Sequence, residues 1–316
     1  MTQSRLALPM FAATLLACAP GFAQSPAPQP PPHQLVAMNS RAGTDVGRMR
    51  AGELMLAQAT DRLERYSSVS TKIRQQAELF GMKMIGTGIY LQGPAGSHCM
   101  RLEMKLQVEN EVTSLQQVCD GTNLWILRRL GQAATLGRVE VAPVLDTQRR
   151  WSAEVGQGTA TAQTGPAGIG VGGLPRVLRS LNHSFQFADP IATKLVTLPV
   201  YEIRGVWRPD ALKRMLPEKA IAPNGMADLS KLPESVPDEV IVLLGRDDLF
   251  PYRIEYRRRK PSDDDSEPAL SQVLLIMELY EVRANETIER RLFEYQPGDM
   301  PIAELTSQYV ETMRMR

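Results

Sequence analysis

The sequence predicts a mainly β protein with a few helices, in which a curled antiparallel sheet surrounds an apolar interior. From residue 101 to residue 108 every second side chain is apolar, a period that is typical of a half-buried strand. Asp120-Gly121 lies between two strand-like runs, which is the strongest short-range sign of a two-residue hairpin. Short turns join the first strands in sequence order, and such a meander indicates an antiparallel sheet.

The remaining elements follow from changes in hydrophobic period. Apolar side chains recur at helical spacing over residues 52–66, which predicts an amphipathic helix before the sheet. Strands are predicted at residues 69–80, 82–92, 101–108, 112–119, 123–130, 138–141, 185–188, 195–207, 240–244, 252–256, 273–282 and 288–295. Further helices are predicted at residues 174–181, 209–216 and 303–313. Strands and helices do not alternate regularly, so the sheet either closes or curls around helices that fill it.

Composition and charge exclude some classes of function. The chain has 316 residues, of which 43% are hydrophobic and 22% charged, an ordinary globular balance. The formal net charge is +1, so no long-range field favours nucleic acid as a partner.

The N-terminus has the features of an exported protein. Residues 1–24 are predicted to be a signal peptide, because Arg5 gives a positive start and Gly21 and Ala23 are small residues at the cleavage positions. The apolar run between them, over residues 6–17, is too short to span a bilayer. Residues 15–18 also resemble a lipobox, which would make Cys18 a lipidation site. Leucine at the second position fits that motif poorly, so a soluble product is favoured over a lipid anchor. Residues 25–50 are predicted to form a flexible, proline-rich spacer.

Cys99 and Cys119 are the two cysteines of the mature chain. A hairpin turn over residues 109–111 would bring them onto neighbouring strands within about two residues of register. Because export permits disulfides, we predict a Cys99–Cys119 bridge in preference to two free thiols.

No catalytic or metal-binding pattern emerges. The three histidines form no His-Glu-x-x-His motif, and Gly-x-Ser-x-Gly and phosphate-loop motifs do not occur. Residues 168–173 match the dinucleotide fingerprint literally, but no apolar strand precedes them, so we interpret them as a loop. The prediction is therefore a protein that is not an enzyme, with no cofactor and no metal site.

The order of several elements resembles a known family. A helix runs into Tyr66-Ser67-Ser68-Val69, a Gly-x-Gly-x-Tyr strand follows at residues 86–90, and Cys-Asp-Gly-Thr-Asn-Leu-Trp occupies residues 119–125. The chain closes with Phe-Glu-Tyr-Gln-Pro at residues 293–297 and a helix near residues 306–309. This arrangement resembles the outer-membrane lipoprotein carrier superfamily (LolA/LolB-like) in a longer envelope form, over residues 50–130 and 238–312.

The resemblance implies an unclosed, strongly curved antiparallel half-barrel that helices plug, with an apolar cavity for acyl chains. Residues 51–316 would form this single domain, with insertions near residues 153–173 and 217–237. It further implies a periplasmic carrier whose partners are a lipid or an acylated protein, together with other envelope proteins. Such a carrier shields an acyl chain from water and carries out no covalent chemistry.

Apolar residues on the predicted strands are the candidates for hydrophobic contacts with an acyl chain: Tyr90, Leu102, Met104, Leu106, Trp125, Tyr252 and Ile254. Ordinary core packing explains each of them equally well. An envelope scaffold or adaptor, using the same fold with a filled interior, is therefore the alternative function.

Overall fold

Thirteen strands form one continuous, curved sheet in the described part of a computed structural model of the chain. The structure describes residues 50–79, 82–108, 111–154, 169–216, 232–259 and 271–314. The strands are β1 Val69–Leu79, β2 Met82–Gln92, β3 Cys99–Val108, β4 Glu111–Asp120, β5 Asn123–Leu130, β6 Ala133–Glu140, β7 Phe185–Phe187, β8 Ile191–Leu195, β9 Leu198–Trp207, β10 Glu239–Gly245, β11 Pro251–Arg259, β12 Ser271–Ala284 and β13 Ile302–Glu304.

The order of strands across the sheet combines two meanders. β1 to β6 lie side by side in sequence order, and β9 to β12 do the same. Antiparallel pairing of β1 with β12 joins the two sets, while β13 pairs with β6 in parallel at one edge. β7 and β8 both pair with β9 at the other edge, and the two edges do not meet among the described strands. The predicted mainly β fold with a curved, unclosed sheet is thus confirmed.

Five helices accompany the sheet in the described residues: α1 Ala51–Arg65, α2 Val141–Glu154, α3 Gly173–Ser184, α4 Pro209–Met215 and α5 Thr306–Arg314. α1 packs against α3, and both contact β7. α1 buries the side of the helix that carries Leu56, Ala59 and Leu63, as its helical period predicts. α2 contacts α5.

Several segments differ from the sequence prediction. Residues 288–295 form no strand, and Arg290–Phe293 is a 3-10 helix. Phe293 is buried and Tyr295 stacks on Trp125, so side-chain packing against the sheet holds this segment, rather than strand pairing. α2 was not predicted, although Val141, Val144 and Thr147 are buried at a spacing of three residues. The strand predicted at residues 195–207 is present as β9, which begins at Leu198 and forms a hairpin with the unpredicted β8.

Several predictions concern segments that lie wholly or partly outside the described residues. They are the signal peptide of residues 1–24, the spacer of residues 25–50, Cys18, and most of the two insertions at residues 153–173 and 217–237.

Candidate functional site

The candidate site is the inner face of the sheet, defined as the side that carries Tyr90 and on which α1 and α3 pack. In an antiparallel pair, residues directly opposite each other share a face, and successive residues alternate between faces. Tyr90 pairs with Leu102 and Leu102 pairs with Gln117, so β2, β3 and β4 contribute these side chains to one surface.

Tyr90 lies at the most buried part of this surface, and its hydroxyl belongs to a buried polar cluster. Its hydroxyl donates to Gln92 Oε1 at 2.8 Å and accepts the backbone N–H of Leu174 at 3.0 Å. Gln92 Nε2 in turn donates to the carbonyl of Leu63 at 3.3 Å. Burial raises the pKa of Tyr90 above its ordinary value, so the phenol stays neutral at physiological pH. Tyr90 therefore fastens α1 and α3 to β2.

Burial decreases along the inner face away from Tyr90. On β3, Leu102 is 0% exposed, Met104 is 2% exposed and Leu106 is half-buried. The neighbouring strands show the same gradient from buried to half-buried side chains: Gln117, Leu115 and Thr113 on β4, and Ile126, Arg128 and Leu130 on β5. The inner face thus becomes more accessible to solvent along β3, β4 and β5 towards Leu106, whereas Gly86 and Met84 on β2 stay buried.

Met104 and Leu106 lie over two glycines of the adjacent strand. A Cβ atom added to Gly88 would come within 1.9 Å of the carbonyl oxygen of Glu103 and 2.6 Å of Met104 Sδ. One added to Gly86 would come within 3.1 Å of Leu106 Cγ and 3.2 Å of Met104 Cε. The glycines therefore leave space that a flexible thioether fills.

Ile254 and Tyr252 lie on the other meander. Ile254 is fully buried and pairs with Met277, which places it on the inner face through β12 and β1. Tyr252 is half-buried beside the β10–β11 turn, where its hydroxyl donates to Asp248 Oδ2 at 2.8 Å. Burial and the interaction with Asp248 raise the pKa of Tyr252. Tyr252 thus makes a hydrogen bond at the turn in addition to any apolar contact.

Trp125 lies on the opposite face, which corrects its assignment to the same apolar wall. It pairs with Val118 on β4, one residue out of phase with the row of Gln117 and Leu102. Its ring stacks on Tyr295, with centroids 5.6 Å apart, in an outer cluster that also contains Leu127 and Leu136. One cavity cannot be lined by both Trp125 and Leu102, since the sheet itself separates them.

The structure adds two polar residues that the sequence analysis missed. Arg128 pairs with Leu115, which pairs with Met104, so its guanidinium stem starts on the inner face. Burial lowers the pKa of Arg128 from its ordinary value. Gln117 is 4% exposed, and its Oε1 atom has no hydrogen-bond partner in the described part of the chain. The dipeptide Arg128-Arg129 could have indicated Arg128. Consecutive residues of a strand point to opposite faces, so one of two adjacent arginines must start on the inner face.

The predicted Cys99–Cys119 disulfide is absent, and both residues are free cysteines. Cys99 pairs with Asp120 and Cys119 pairs with Met100, so the register is one residue away from the one that a bridge across the pair requires. Their side chains consequently start on opposite faces of the hairpin.

Two further observations concern only the described ranges. They contain no cluster of three or more His, Cys, Asp or Glu side chains that could hold a metal ion. They also contain no helix with the length and apolar composition needed to cross a bilayer.

No family model and no curated protein sequence matches the chain. Similar solved structures include a protein described as an outer membrane lipoprotein-sorting domain from Vibrio parahaemolyticus, with 7% identity over 77% of this chain and 96% of that chain and a TM-score of 0.32. A LolA superfamily protein from Nitrosomonas europaea has 9% identity over 78% of this chain and 98% of that chain, with a TM-score of 0.25. A chain of the Pseudomonas aeruginosa MucA/MucB complex has 10% identity over 78% of this chain and 61% of that chain, with a TM-score of 0.35.

The descriptions of the first two structures name the kind of protein that the sequence resemblance named. At identities of 7% to 10% and TM-scores of 0.25 to 0.35, however, the likeness carries no argument about what this chain binds. The case for a function therefore rests on the inner face of the sheet.

Proposed function

We propose that this protein is an exported, non-enzymatic carrier that binds the acyl chain of a lipid or lipoprotein on the inner face of its sheet. The observation that supports the proposal is the graded apolar wall along β3, from the fully buried Leu102 through Met104 to the half-buried Leu106. An acyl chain entering beside Leu106 would follow the gradient from accessible to buried surface.

The free energy of such binding comes from removing methylene groups from water. Each buried CH₂ contributes about 0.8 kcal/mol, so a chain that exchanges water for an apolar wall gains several kcal/mol over its length. Met104 supports this role because a thioether adapts to an irregular partner, and its side chain lies against Gly86 and Gly88, which have no side chains of their own. Tyr252 and Ile254 are proposed contacts on the second meander, whereas Trp125 is not part of this wall.

A different observation favours the alternative of an envelope scaffold or adaptor. Tyr90, Leu102 and Ile254 are each 0% exposed, and the hydroxyl of Tyr90 already has a donor and an acceptor as partners. An interior filled to that degree throughout would leave no room for a ligand. The two functions therefore differ in whether Met104 and Leu106 can make room beside the packed Tyr90 end.

Export and a periplasmic location form part of the proposal. They rest on residues 1–24 and on the proline-rich spacer that follows, all of which lie outside the described residues. Fractionation of cells that produce the Cys18→Ser variant distinguishes a soluble product from a lipid-anchored one. An unchanged soluble product excludes lipidation at Cys18.

The test combines native mass spectrometry with one pair of matched variants. Protein purified from its own envelope should carry co-purifying lipid, and the delipidated protein should bind the fluorescent fatty acid cis-parinaric acid. Leu106→Trp places a large side chain on the accessible end of the inner face, and we expect it to weaken binding about tenfold or more. Ile85→Trp is the control, because Ile85 is 57% exposed on the outer face, adjacent to Gly86.

Binding that both tryptophan variants weaken equally would place the fatty acid elsewhere on the molecule. A protein that neither carries lipid nor binds cis-parinaric acid would contradict the carrier function and leave the scaffold as the explanation of the fold.

A further inference from the structure

Arg128 and Gln117 are two polar side chains on the inner face of the sheet. Arg128 follows Ile126 by two residues on β5, and Ile126 pairs directly with Gln117 on β4. Diagonal neighbours on one face of an antiparallel pair lie about 7 Å apart, within reach of long side chains. Arg128 and Gln117 can therefore contact the same small group.

The charge of Arg128 is not compensated by its neighbours in the sheet. The residues opposite it are Leu115 on β4 and Thr135 on β6, neither of which carries a charge. Desolvation is the cause that lowers the pKa of Arg128, and no acidic neighbour counteracts it within the described residues. A half-buried guanidinium in such a place costs free energy that an anion would recover.

Gln117 provides an independent sign of a missing partner. Its side chain is 4% exposed, and its Oε1 atom is buried without a hydrogen bond to any described residue. An amide oxygen accepts hydrogen bonds and cannot donate them, so its partner must carry a hydroxyl or N–H group. Buried acceptors are normally satisfied, and an exception in a folded protein calls for a specific cause.

We infer that Arg128 and Gln117 form a head-group site for an anionic phospholipid whose head group carries a hydroxyl, with the phosphate on Arg128 and the hydroxyl donating to Gln117. The inference rests on the proposed carrier function, and it adds the class of lipid. Arg128 is half-buried whereas Met104, Leu102 and Gln117 are buried, so the phosphate lies nearer the accessible end, and the hydroxyl on Gln117 and the acyl chain lie deeper. This orientation keeps the phosphate partly hydrated while the chain leaves water.

Two lipids with the same chain test the inference by isothermal titration calorimetry on the full chain, below the concentrations at which the lipids form micelles. They are 1-palmitoyl-lysophosphatidylglycerol, which has the phosphate, and 1-monopalmitoylglycerol, which lacks it. A charge-assisted hydrogen bond corresponds to about ten- to hundredfold in affinity, so we expect the wild-type protein to prefer the phospholipid by that factor. Glycerol 3-phosphate, the soluble head-group arm, should bind at least a hundredfold more weakly than the phospholipid.

Variants of adjacent residues locate the preference. Arg128→Gln should lower the affinity for the phospholipid about tenfold or more and leave monopalmitoylglycerol unchanged, whereas Arg128→Lys should keep most of the preference. Arg129→Gln is the matched control, because it removes the same charge from the next residue, which is exposed on the other face. Thermal denaturation of each variant establishes that it is folded.

The outcomes separate this inference from the carrier function. Equal affinity of the wild-type protein for both lipids, an undiminished preference in Arg128→Gln, or an equal loss in Arg129→Gln would overturn the head-group site while leaving an acyl-chain carrier in place. Tight binding of glycerol 3-phosphate alone would also overturn it, since the ligand would then not be a lipid. Failure of both palmitoyl lipids to bind would refute the carrier function and the inference together.

Discussion

Burial dominates the chemistry of Cys119. The residue is 0% exposed, and desolvation of the thiolate is the largest of the effects that raise its pKa to about 12. Asp120 and Cys99 raise the pKa further, while a hydrogen bond with the backbone of Gly121 lowers it. Because the thiolate is the nucleophilic form, Cys119 is an unreactive core thiol at neutral pH rather than a redox residue.

The raised pKa of Cys119 predicts how stability depends on pH. The thiol ionises near pH 9 in the unfolded chain but stays protonated in the folded protein, so its contribution to stability is complete below pH 9 and is lost as the pH rises. We expect the free energy of unfolding of Cys99→Ala to fall by about 1 kcal/mol more between pH 9 and pH 10 than that of Cys99→Ala/Cys119→Ala. Urea denaturation at fixed pH measures both variants, and parallel pH profiles would show that Cys119 ionises equally in the two states.

At this scale the sequence predicts which side chains alternate but not which residues face each other. The period of two along β3 correctly places Leu102, Met104 and Leu106 together. The register between neighbouring strands places Cys99 and Cys119 on opposite faces and Trp125 on the outer face. No local sequence pattern encodes this register. The bond between Tyr90 and Leu174 joins residues 84 positions apart, so it follows only from the packed fold.

Helix α1 is fixed at its two ends by ion pairs of different kinds. Near its start, Glu53 is 4% exposed, accepts Arg208 Nη2 at 2.8 Å and accepts the backbone N–H of Arg50 at 3.3 Å. Near its end, Glu64 pairs with Arg179 of α3 in an exposed position. The first pair ties α1 to the chain between β9 and α4, whereas the second lies at the surface.

The two carboxylates of α1 form a matched pair for mutation. Glu53→Ala leaves Arg208 without its buried partner, and we expect a loss of about 2–3 kcal/mol, below the value for a fully buried pair because Arg208 is partly exposed. Glu64→Ala should cost at most about 1 kcal/mol, because solvent screens an exposed pair. Urea denaturation gives both values. Since the substitution and the helix are the same, losses of equal size would contradict a structural role of Glu53.

Elements with a clear period were predictable, and elements held by distant partners were not. α1 and the strands β1 to β5 follow from hydrophobic spacing alone. β13 has only exposed side chains and exists because it pairs with β6, which is distant in sequence. The 3-10 helix Arg290–Phe293 likewise depends on Phe293 and on the bond from Arg101 Nη1 to the carbonyl of Leu292 at 2.9 Å.

The whole sheet depends on the junction between its first and last long strands. β1 pairs with β12 from Val69–Ala284 to Ala77–Leu275, and at the start of the junction the backbone N–H of Ser67 donates to Asn285 Oδ1 across 218 positions of sequence. Each meander can form from local hairpins, but the local sequence patterns of the two meanders do not predict that they share one sheet. Such distant pairing carries a large loop-closure entropy, so it forms slowly and only with the support of packing across the junction.

This junction predicts that both meanders unfold together. Trp125 on β5 and Trp207 on β9 report from opposite sides of the β1–β12 pair, so variants that keep one of them, with Trp151 replaced by Phe in both, isolate each side. We expect each variant to show the same urea midpoint by tryptophan fluorescence as by far-ultraviolet circular dichroism, because neither meander can lose its partner strand and keep its buried inner face. A difference of about 0.5 M or more between the fluorescence and circular dichroism midpoints of one variant would reveal a half that unfolds on its own. Comparison within one variant removes the effect of the substitutions themselves, including the loss of the hydrogen bond that Trp207 Nε1 donates to the carbonyl of Pro237.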